Sequence, residues 1–229
     1  MSKHIDAIVL ARGGSKGIKN KNMRLVNGRP LLFWTLNLLL KSKKIKNIWV
    51  SSDSQAILNY SASLNCKTII RPHGFSRDNS TSESSWMHAI KYIKTKFKSH
   101  PEFIFAPQVT SPLRDLSDID NSIRYFSKHN LDSLFSANNL EDFCIWEHQK
   151  SNLKSISYNY KKRKRRQNIK KRILENGSFY IFNSNGLLKN KNRIFGNYDY
   201  FLMEKYKMFQ IDSKEDLSLC EKLMKIHVK

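Results

Sequence analysis

Short apolar runs typical of buried strands alternate with amphipathic helical patterns through the first half of the chain. The predicted strands cover residues 5–11, 48–51, 67–70, 103–106 and 132–137, and the predicted helices cover residues 30–41, 54–64, 82–97 and 115–128. Strands separated by helical segments form βαβ units, whose crossover connections make neighbouring strands parallel. We therefore predict an α/β fold with a mostly parallel sheet and helices on both faces.

The second half of the chain is less regular. Residues 138–172 are aromatic and basic without a sustained period, whereas 177–183 favour a strand and 213–227 an amphipathic helix. No segment rich in Gly, Pro or Ser separates two units. We predict one Rossmann-like domain over residues 1–229, with residues from about 139 to 175 as an excursion from the sheet. Ligands of such sheets bind beyond the carboxyl ends of the strands.

Composition narrows the class of protein. The chain has 229 residues, 40% of them hydrophobic and 26% charged, which is typical of a globular domain. It contains no run of 18 apolar residues, and residues 1–6 lack the apolar block of a signal peptide, so we expect no membrane span and a cytoplasmic location. The cysteines at 66, 144 and 220 are too far apart in sequence to indicate a disulfide framework or a zinc site.

The charge is far from balanced. Lys and Arg number 41 against 19 Asp and Glu, for a formal net charge of +22, and residues 161–172 hold nine basic residues without an acid. Such a charge favours an anionic ligand: nucleic acid, membrane lipid or a phosphorylated substrate. A source organism whose proteins are generally rich in Lys and Asn would explain the scattered excess of positive charge equally well. The basic run also matches a nuclear localisation signal, provided that the source is a eukaryote.

The strongest local signal is a glycine-rich turn, LARGGSKGIKNKN at residues 10–22, directly after the first predicted strand. Glycines let the backbone turn tightly and direct N–H groups at a phosphate. Arg12, Lys16 and Lys21 add positive charge around the same turn. The segment matches neither a Walker A loop nor the dinucleotide GxGxxG pattern. It predicts a phosphate-binding loop, with an exposed turn bearing solvated lysines as the alternative.

Six blocks in the same order resemble the CMP-sialic acid synthetases, also called N-acylneuraminate cytidylyltransferases, from residue 8 to about residue 223. The glycine-rich turn is the first block. The others are WVSSD at 49–53, RP at 71–72 with STS at 80–82, QVTSPL at 108–113, RRQ at 165–167 with ENGSFY at 175–180, and IDS at 211–213. The Trp before VSSD and the RRQ and ENGSFY segments lean toward the animal-like branch of the family.

The resemblance implies an enzyme that joins CMP from CTP to a nine-carbon 2-keto acid sugar, N-acetylneuraminate or a close relative, and releases pyrophosphate. Such catalysis is mostly positioning and charge neutralisation. The resemblance assigns catalysis to Arg12, Lys21 and Asp212. It assigns the contact with the cytosine base to Arg71. The nucleotide contacts that it implies are Ala11, Arg12, Gly13, Gly14, Ser15, Lys16, Lys21, Asn22, Arg71, Ser80 and Ser82. For Ser80 and Ser82, capping of the helix from residue 82 is the structural alternative.

The resemblance also assigns the acceptor sugar. Amide, hydroxyl and guanidinium groups suit its carboxylate, N-acyl group and hydroxyls, and a bidentate bond from Arg166 would fix the carboxylate. The sugar-binding residues that the resemblance implies are Gln108, Thr110, Ser111, Arg166, Gln167, Asn176 and Tyr180. Without the resemblance, residues 161–172 would be interpreted as a solvated charge run or a nucleic-acid patch.

The metal segment departs from the family pattern. The family carries two aspartates around an Ile near the C-terminus, whereas here Gln210, Ile211 and Asp212 stand in a row. Mg²⁺ takes one or two protein carboxylates and completes its shell with phosphate and water. We therefore expect Mg²⁺ or Mn²⁺ held by Asp212, with a higher metal requirement than in a two-aspartate relative. Asp53 is the competing candidate ligand.

Association and alternative functions complete the predictions. The excursion is aromatic and cannot bury itself in the core of the sheet, and the resemblance implies that it makes a homodimer. CMP activation of legionaminic acid or another keto sugar acid is an alternative within the same fold. A basic nucleic-acid-binding protein is the alternative from a different class, although we do not expect nucleic acid or a membrane as a partner.

Overall fold

The computed structural model of the protein describes residues 5–15, 17–77, 79–140, 144–150, 152–165, 168 and 171–227. Its strands are Ile5–Leu10 (β1), Leu25–Val26 (β2), Arg29–Pro30 (β3), Ile45–Ser52 (β4), Lys67–Ile70 (β5), Phe103–Pro107 (β6), Ser133–Asn139 (β7), Trp146–Gln149 (β8), Asn152–Ser155 (β9), Ile173–Asn183 (β10) and Tyr198–Leu202 (β11). Its α-helices are Leu31–Lys41 (α1), Gln55–Ser63 (α2), Ser82–Phe97 (α3), Leu116–Lys128 (α4), Ser184–Asn190 (α5) and Lys214–His227 (α6).

The centre of the fold is a seven-stranded sheet with the order β11-β7-β10-β6-β1-β4-β5. Strand β1 pairs in parallel with β4 on one side and with β6 on the other. Strand β10 is antiparallel to both of its neighbours, β6 and β7, while β11 is again parallel to β7. The mostly parallel sheet predicted from the alternation of strands and helices is therefore confirmed.

Helices cover both faces of this sheet, because successive side chains of each strand point to opposite sides. On one face Val9 of β1 packs in a cluster with Leu36 of α1 and Phe126 of α4. On the other face Ile8 packs with Trp86 and Ile90 of α3. The buried β-type runs of the sequence are thus apolar on both sides, as strands between two helical layers require.

Helix α3 follows strand β5, helix α4 follows strand β6, and both helices begin with a capped N-terminus. Helix α3 follows Thr81, whose hydroxyl accepts a 3.1 Å hydrogen bond from the backbone N–H of Ser84. Helix α4 follows Asp115, which exchanges side-chain and backbone hydrogen bonds with Asp118 in a capping box. Such caps satisfy backbone donors that the first helical turn cannot pair. The cap of α3 is Thr81, so the capping alternative for its serine neighbours is wrong.

The excursion leaves the sheet after β7 and returns at β10, where Asn139 and Ile173 pair with each other. Between them β8 and β9 form an antiparallel hairpin. Trp146, Leu153 and Ile156 of this excursion are exposed. An excursion with a few exposed apolar side chains outside the core agrees with the irregular aromatic pattern of the sequence. Association through this excursion stays a prediction.

The elements that the pattern did not predict are the short strands β2 and β3, the hairpin strands β8 and β9, helix α5 and strand β11. Helix α5 has seven residues and β11 is a half-exposed edge strand, so neither carries a sustained apolar period. Among the described residues no helix is long and apolar enough to cross a membrane.

Candidate active site

A cavity of about 480 Å³ opens beyond the carboxyl ends of β1, β5 and β6. This is the edge of an α/β sheet at which ligands bind. Among the lining residues in the described part of the chain, Arg12, Lys21, Arg71 and Arg77 are cationic and Asp212 alone is acidic. An excess of positive charge on a concave surface favours a polyanionic ligand. The predicted catalytic and nucleotide-binding residues that line it are Arg12, Ser15, Lys21, Asn22, Arg71, Ser80, Ser82 and Asp212.

The glycine-rich turn is held in shape by its own polar side chains. The Ser15 hydroxyl donates to the carbonyl of Ile18 at 2.7 Å and accepts from the backbone N–H of Lys21 at 3.1 Å. The Asn22 amide donates to the carbonyl of Arg12 at 2.9 Å. These bonds leave the Lys21 side chain at the cavity wall, where its ammonium donates to Ile211 O at 2.9 Å and to the Asp212 carboxylate at 2.7 Å.

Gly17 lets the turn approach the C-terminal segment closely. A Cβ at this position would collide with the carbonyl oxygen of Asp212, so a larger residue would separate the turn from that segment. The same turn is held from the other side by Asp53, which accepts the backbone N–H of Gly13 at 2.8 Å. The N–H of Gly13 is therefore already bonded to Asp53, and neither Gly13 nor Gly14 lines the cavity.

Arg71 stands at the opposite wall. It is 5% exposed, and its Nε donates to the hydroxyl of Ser76 at 3.0 Å. Burial lowers its pKa, the nearby carboxylate of Asp53 acts against this effect, and the charge of Arg12 adds to it. Phe75 lies beside these residues on the cavity wall. A buried guanidinium next to an aromatic ring can hydrogen-bond and stack on a planar base.

The two serines predicted as ribose contacts both line the cavity, and neither of them caps helix α3. Ser82 lines the cavity at the start of α3, and Ser80 lines it while its hydroxyl donates to the carbonyl of Gly74 at 3.0 Å. Thr81 between them caps the helix. Ser85, one turn further along α3, also lines the cavity and donates to the carbonyl of Phe75 at 3.0 Å.

Two of the predicted sugar contacts, Gln108 and Thr110, line the cavity after β6. Their loop is held from beneath by Arg114, which is 1% exposed. Its guanidinium donates to the carbonyls of Gln108, Ser111 and Ser178, at 2.7, 3.0 and 2.8 Å. Burial lowers the pKa of Arg114 to about 10, against which the Asp118 carboxylate acts. Arg114 is therefore a scaffold for the loop.

Of the remaining predicted sugar contacts, those in the described part of the chain do not line this cavity. Ser111 is buried beside Arg114, and Asn176 is buried in a network in which its carbonyl oxygen accepts from Ser136 at 2.6 Å. The Tyr180 hydroxyl, also buried, donates to Glu175 at 2.6 Å. Ala11 is buried at the end of β1. The predicted residues that lie outside the described part of the chain are Lys16, Arg166 and Gln167.

Gln210 holds two loops together. Its Nε2 donates to the backbone carbonyl of Asn176, and its Oε1 lies 3.4 Å from the hydroxyl of Thr110. Its side chain packs against Gly177, which has a φ of +65° that favours glycine. The amide thus faces the acceptor-side loops and not Asp212. The idea that Gln210 stands in for a metal-binding aspartate has no support in this geometry.

Whether the site fits a divalent metal depends on Asp212. Its side chain is 70% exposed at the cavity wall and meets a single described cation, Lys21. One carboxylate beside a triphosphate is a donor set that Mg²⁺ accepts, since phosphate and water complete its shell. Within the described residues no cluster of three His, Cys, Asp or Glu could hold a metal without the substrate. The residues therefore fit a metal that arrives with the nucleotide.

Several functional residues of the site were not predicted from the sequence. Arg77, Phe75 and Ser76 belong to a loop between β5 and α3 that has no periodic signal, although the Arg71-Pro72 pair marks its start. Arg114 follows the QVTSPL block directly, and this position is the signal in the sequence that points to it. Only the folded chain shows that its guanidinium lies under the loop.

The fold is that of an α/β protein, and the cationic cavity at the edge of its sheet favours an anionic ligand. The chain belongs to the cytidylyltransferase family, whose sequence profile matches residues 7–228. This match confirms the family that the six sequence blocks indicated.

Curated relatives come from animals and bacteria. N-acylneuraminate cytidylyltransferase A of Danio rerio is 31% identical over 185 residues, 79% of this chain and 41% of the relative. N-acylneuraminate cytidylyltransferase of Streptococcus agalactiae serotype V is 27% identical over 215 residues, 91% of this chain and 50% of the relative. The chain thus spans half the length of these relatives or less. Fish and bacterial relatives match about equally well, so the animal-like leaning is not resolved.

A third relative matches over nearly its whole length. The post-translational flagellin modification protein B of Campylobacter coli is 28% identical over 222 residues, 95% of this chain and 93% of the relative.

Solved structures share the fold at low identity. CMP:2-keto-3-deoxy-manno-octonic acid synthetase complexed with CTP superposes with a TM-score of 0.72 at 11% identity, covering 98% of this chain and all of the other. A 4-diphosphocytidyl-2C-methyl-D-erythritol synthase from Anaerococcus prevotii gives a TM-score of 0.66 at 14% identity, covering 98% and 97%. At these identities the likeness establishes the architecture alone.

Proposed function

We propose that the chain is a CTP-dependent nucleotidyltransferase that joins CMP to a sialic-acid-type nine-carbon 2-keto acid and releases pyrophosphate. The observation that carries the proposal is the cavity itself: Arg12, Lys21, Arg71 and Arg77 converge at the carboxyl end of the sheet. A nucleoside triphosphate is the metabolite class that best matches this charge and volume. Membership of the cytidylyltransferase family selects CTP.

The residues divide the reaction between them. A hydroxyl of the acceptor attacks the α-phosphorus, and the bond to the leaving pyrophosphate breaks. Arg12 and Lys21 neutralise the triphosphate and the departing pyrophosphate, with the turn at Ser15 and Asn22 holding them in place. Arg71 donates to the oxygen or nitrogen acceptors of cytosine.

The acceptor lies between the nucleotide and the loop after β6. Gln108 and Thr110 line that side of the cavity and offer amide and hydroxyl partners to its carboxylate and hydroxyls. Arg114 fixes the backbone of this loop through the carbonyl of Gln108. Such preorganisation of binding groups lowers the entropic cost of bringing two reactants together.

A divalent metal completes the proposal. Asp212 would hold Mg²⁺, or Mn²⁺ in its place, together with phosphate oxygens and water. When bound, the metal supplies positive charge at the phosphates undergoing transfer.

The whole described chain forms one catalytic domain in this proposal, and the excursion at about 139–175 makes a homodimer through its exposed hairpin. Trp146, Leu153 and Ile156 give that hairpin an apolar surface. A cytoplasmic location stays a prediction.

Legionaminic acid or another keto sugar acid is the second candidate for the acceptor. It is favoured by the Campylobacter coli flagellin modification protein, because that relative matches over 93% of its own length whereas the two N-acylneuraminate cytidylyltransferases match over half or less. Both candidates share the CTP chemistry and differ only in the substituents of the sugar.

The test is pyrophosphate release with four nucleoside triphosphates and a panel of nine-carbon 2-keto acids. We expect release with CTP and at least one keto acid, and none with the purine nucleotides. Lys21→Ala should lower the rate by about 10² or more. Lys19→Ala is the matched control, because Lys19 lies in the same turn but is exposed outside the cavity lining. Absence of CTP-dependent release with every acceptor would refute the proposal.

A further inference from the structure

Two carboxylates, a guanidinium and a phenol contact one another near Gly177. They belong to Glu83, Glu175, Arg193 and Tyr180. The Nε of Arg193 lies 2.6 Å from Glu83 Oε1, and the Tyr180 hydroxyl donates to Glu175 Oε1 at 2.6 Å. The Arg193 guanidinium lies over the ring of Tyr180, 4.6 Å from its centroid, and over that of Trp86 at 4.9 Å. We call these four residues the acid–base array.

None of the four array residues lines the cavity, but two of them lie next to residues of its wall or of the loops behind it. Glu83 is in the first turn of α3, between Ser82 and Ser85, which both line the cavity. On the other side the array adjoins Gly177, since a Cβ there would lie 4.0 Å from the Tyr180 hydroxyl. Gly177 in turn packs against Gln210, whose Oε1 faces the cavity residue Thr110.

Arg193 is held in a fixed position. Its loop is anchored to β7 by Ser133, whose hydroxyl donates to the Phe195 carbonyl at 2.8 Å and accepts the Phe195 N–H at 2.9 Å. The Arg193 side chain keeps 20% of its surface exposed and that of Glu83 keeps 16%. Each group is thus oriented by the protein while part of it stays open to a ligand.

The array is a poor device for stability alone. A largely buried ion pair gives up solvation, and apolar side chains of similar size are often at least as stable in its place. Replacing both partners by apolar side chains would avoid that cost, whereas removing Arg193 alone leaves the largely buried Glu83 carboxylate without its partner. The combination of guanidinium donors with carboxylate acceptors instead matches vicinal hydroxyl groups, each of which donates and accepts.

We propose that the acid–base array binds the polyhydroxyl side chain of the acceptor sugar, with Arg193 and Glu175 as its specificity-determining residues. This inference rests on the proposed function, because it identifies residues with which the same site would recognise its acceptor sugar. Arg193 donates hydrogen bonds to the hydroxyl oxygens of that chain, and the exposed Glu175 carboxylate accepts hydrogen bonds from its hydroxyl groups. Tyr180 and Glu83 position these two groups.

The experiment compares two acceptors: the full nine-carbon keto acid, and an analogue whose exocyclic chain is shortened to one hydroxymethyl group. Steady-state kinetics give the ratio of the two kcat/KM values in the wild type, Arg193→Met and Glu175→Gln. We expect the full acceptor to be preferred by about 10² or more in the wild type, since the truncated analogue lacks the hydroxyl groups that Arg193 and Glu175 would bind. Each substitution should lower that preference at least tenfold, while the KM for CTP stays within about twofold.

A merely structural role would give a different result. It would lower kcat/KM for both acceptors by the same factor and leave the ratio unchanged, and this outcome would overturn the inference. Arg124→Met is the matched control, because Arg124 is exposed on α4 and bonds to Asn121. Thermal melting of each variant verifies the fold. CTP-dependent turnover with an unchanged ratio refutes the array alone, whereas absence of turnover with every acceptor refutes the proposed function as well.

Discussion

The ammonium group of Lys21 and the carboxylate of Asp212 lie 2.7 Å apart, although 191 positions separate them in the chain. The cation proposed for the phosphates and the carboxylate proposed for the metal are therefore partners of each other without ligand. The side chain of Lys21 is 14% exposed and that of Asp212 is 70% exposed. A bound triphosphate would compete with Asp212 for Lys21.

This competition predicts opposite effects of one substitution with and without metal. In Asp212→Ala, Lys21 loses its carboxylate partner, so CTP binding in EDTA should tighten severalfold. Turnover with Mg²⁺ should fall by about 10² or more, because the carboxylate that would hold the metal is gone. Calorimetric titration of CTP, with EDTA and then with Mg²⁺, measures the first effect, and pyrophosphate release measures the second.

Asp53→Asn is the control for the metal assignment. Asp53 accepts the Gly13 N–H and orders the turn, so its substitution should weaken CTP binding with or without metal. If Asp212→Asn kept wild-type turnover while Asp53→Asn lost its Mg²⁺ dependence, the metal assignment would be wrong.

Arg12→Ala is expected to lower turnover by about 10² or more, because a preorganised charge at the transferring phosphates is lost. The melting temperature should change little, since Arg12 is only half-buried at the cavity wall. Arg12→Lys should recover part of the rate by restoring the charge without the bidentate geometry. Near-normal turnover in Arg12→Ala would contradict the role of the turn.

The strands and helices of the first half could be predicted because each carries its own period and its own boundary. The range 82–97 predicted from sequence is that of α3, which Thr81 caps, and the range 67–70 is that of β5. Strand β10 begins four residues before the predicted start at 177, because Glu175 and its neighbours extend the ladder with β7. That extension depends on a partner strand distant in sequence, so no local pattern reveals it.

The cavity could be predicted only in part, for a similar reason. Motif residues such as Lys21 and Gln108 line it. Asn176 belongs to an equally clear block, yet its side chain is used to join β10 to β7. Which side of a strand faces the ligand is decided by the packing of the whole sheet. Phe75 and Arg193 come from loops without a periodic signal and emerge only in three dimensions.

Gln210→Glu is expected to destabilise the protein by about 1–3 kcal/mol, because it replaces the donor to the Asn176 carbonyl by a carboxylate oxygen. The KM for the acceptor should rise, since Thr110 and Gly177 lie against the same side chain. The Mg²⁺ requirement should not change, in contrast to the expectation drawn from the sequence. Urea unfolding and a Mg²⁺ titration of turnover measure the two effects, and a lowered Mg²⁺ requirement would restore the metal role of position 210.

The exposed hairpin predicts a homodimer that a surface charge should break. Leu153→Asp and Trp146→Ser place polar groups in the apolar surface of β8 and β9. We expect light scattering to give twice the chain mass for the wild type at micromolar concentration and to shift toward the single chain in these variants. Ile226→Asp is the control, because Ile226 is exposed on α6, outside the excursion. A wild type that scatters as a monomer would contradict the proposal.

The ion pair of Glu83 with Arg193 predicts a pH dependence of stability. Burial acts to raise the pKa of Glu83, but the hydrogen bond from Arg193, a bond to its own backbone and the charge of Arg193 together lower it below 4.5. A carboxylate whose pKa is lower in the folded state stabilises the protein above its unfolded pKa, and this contribution disappears as the pH falls through the folded pKa. Glu83→Gln should therefore lower the free energy of unfolding by about 1–3 kcal/mol near pH 7 and by progressively less below pH 4.5.

Urea unfolding of the wild type and Glu83→Gln between pH 3 and pH 7 measures the difference. In the Arg193→Met background, Glu83→Gln should have a much smaller, nearly pH-independent effect. An equally large effect of Glu83→Gln in that background would show that Arg193 is not the cause.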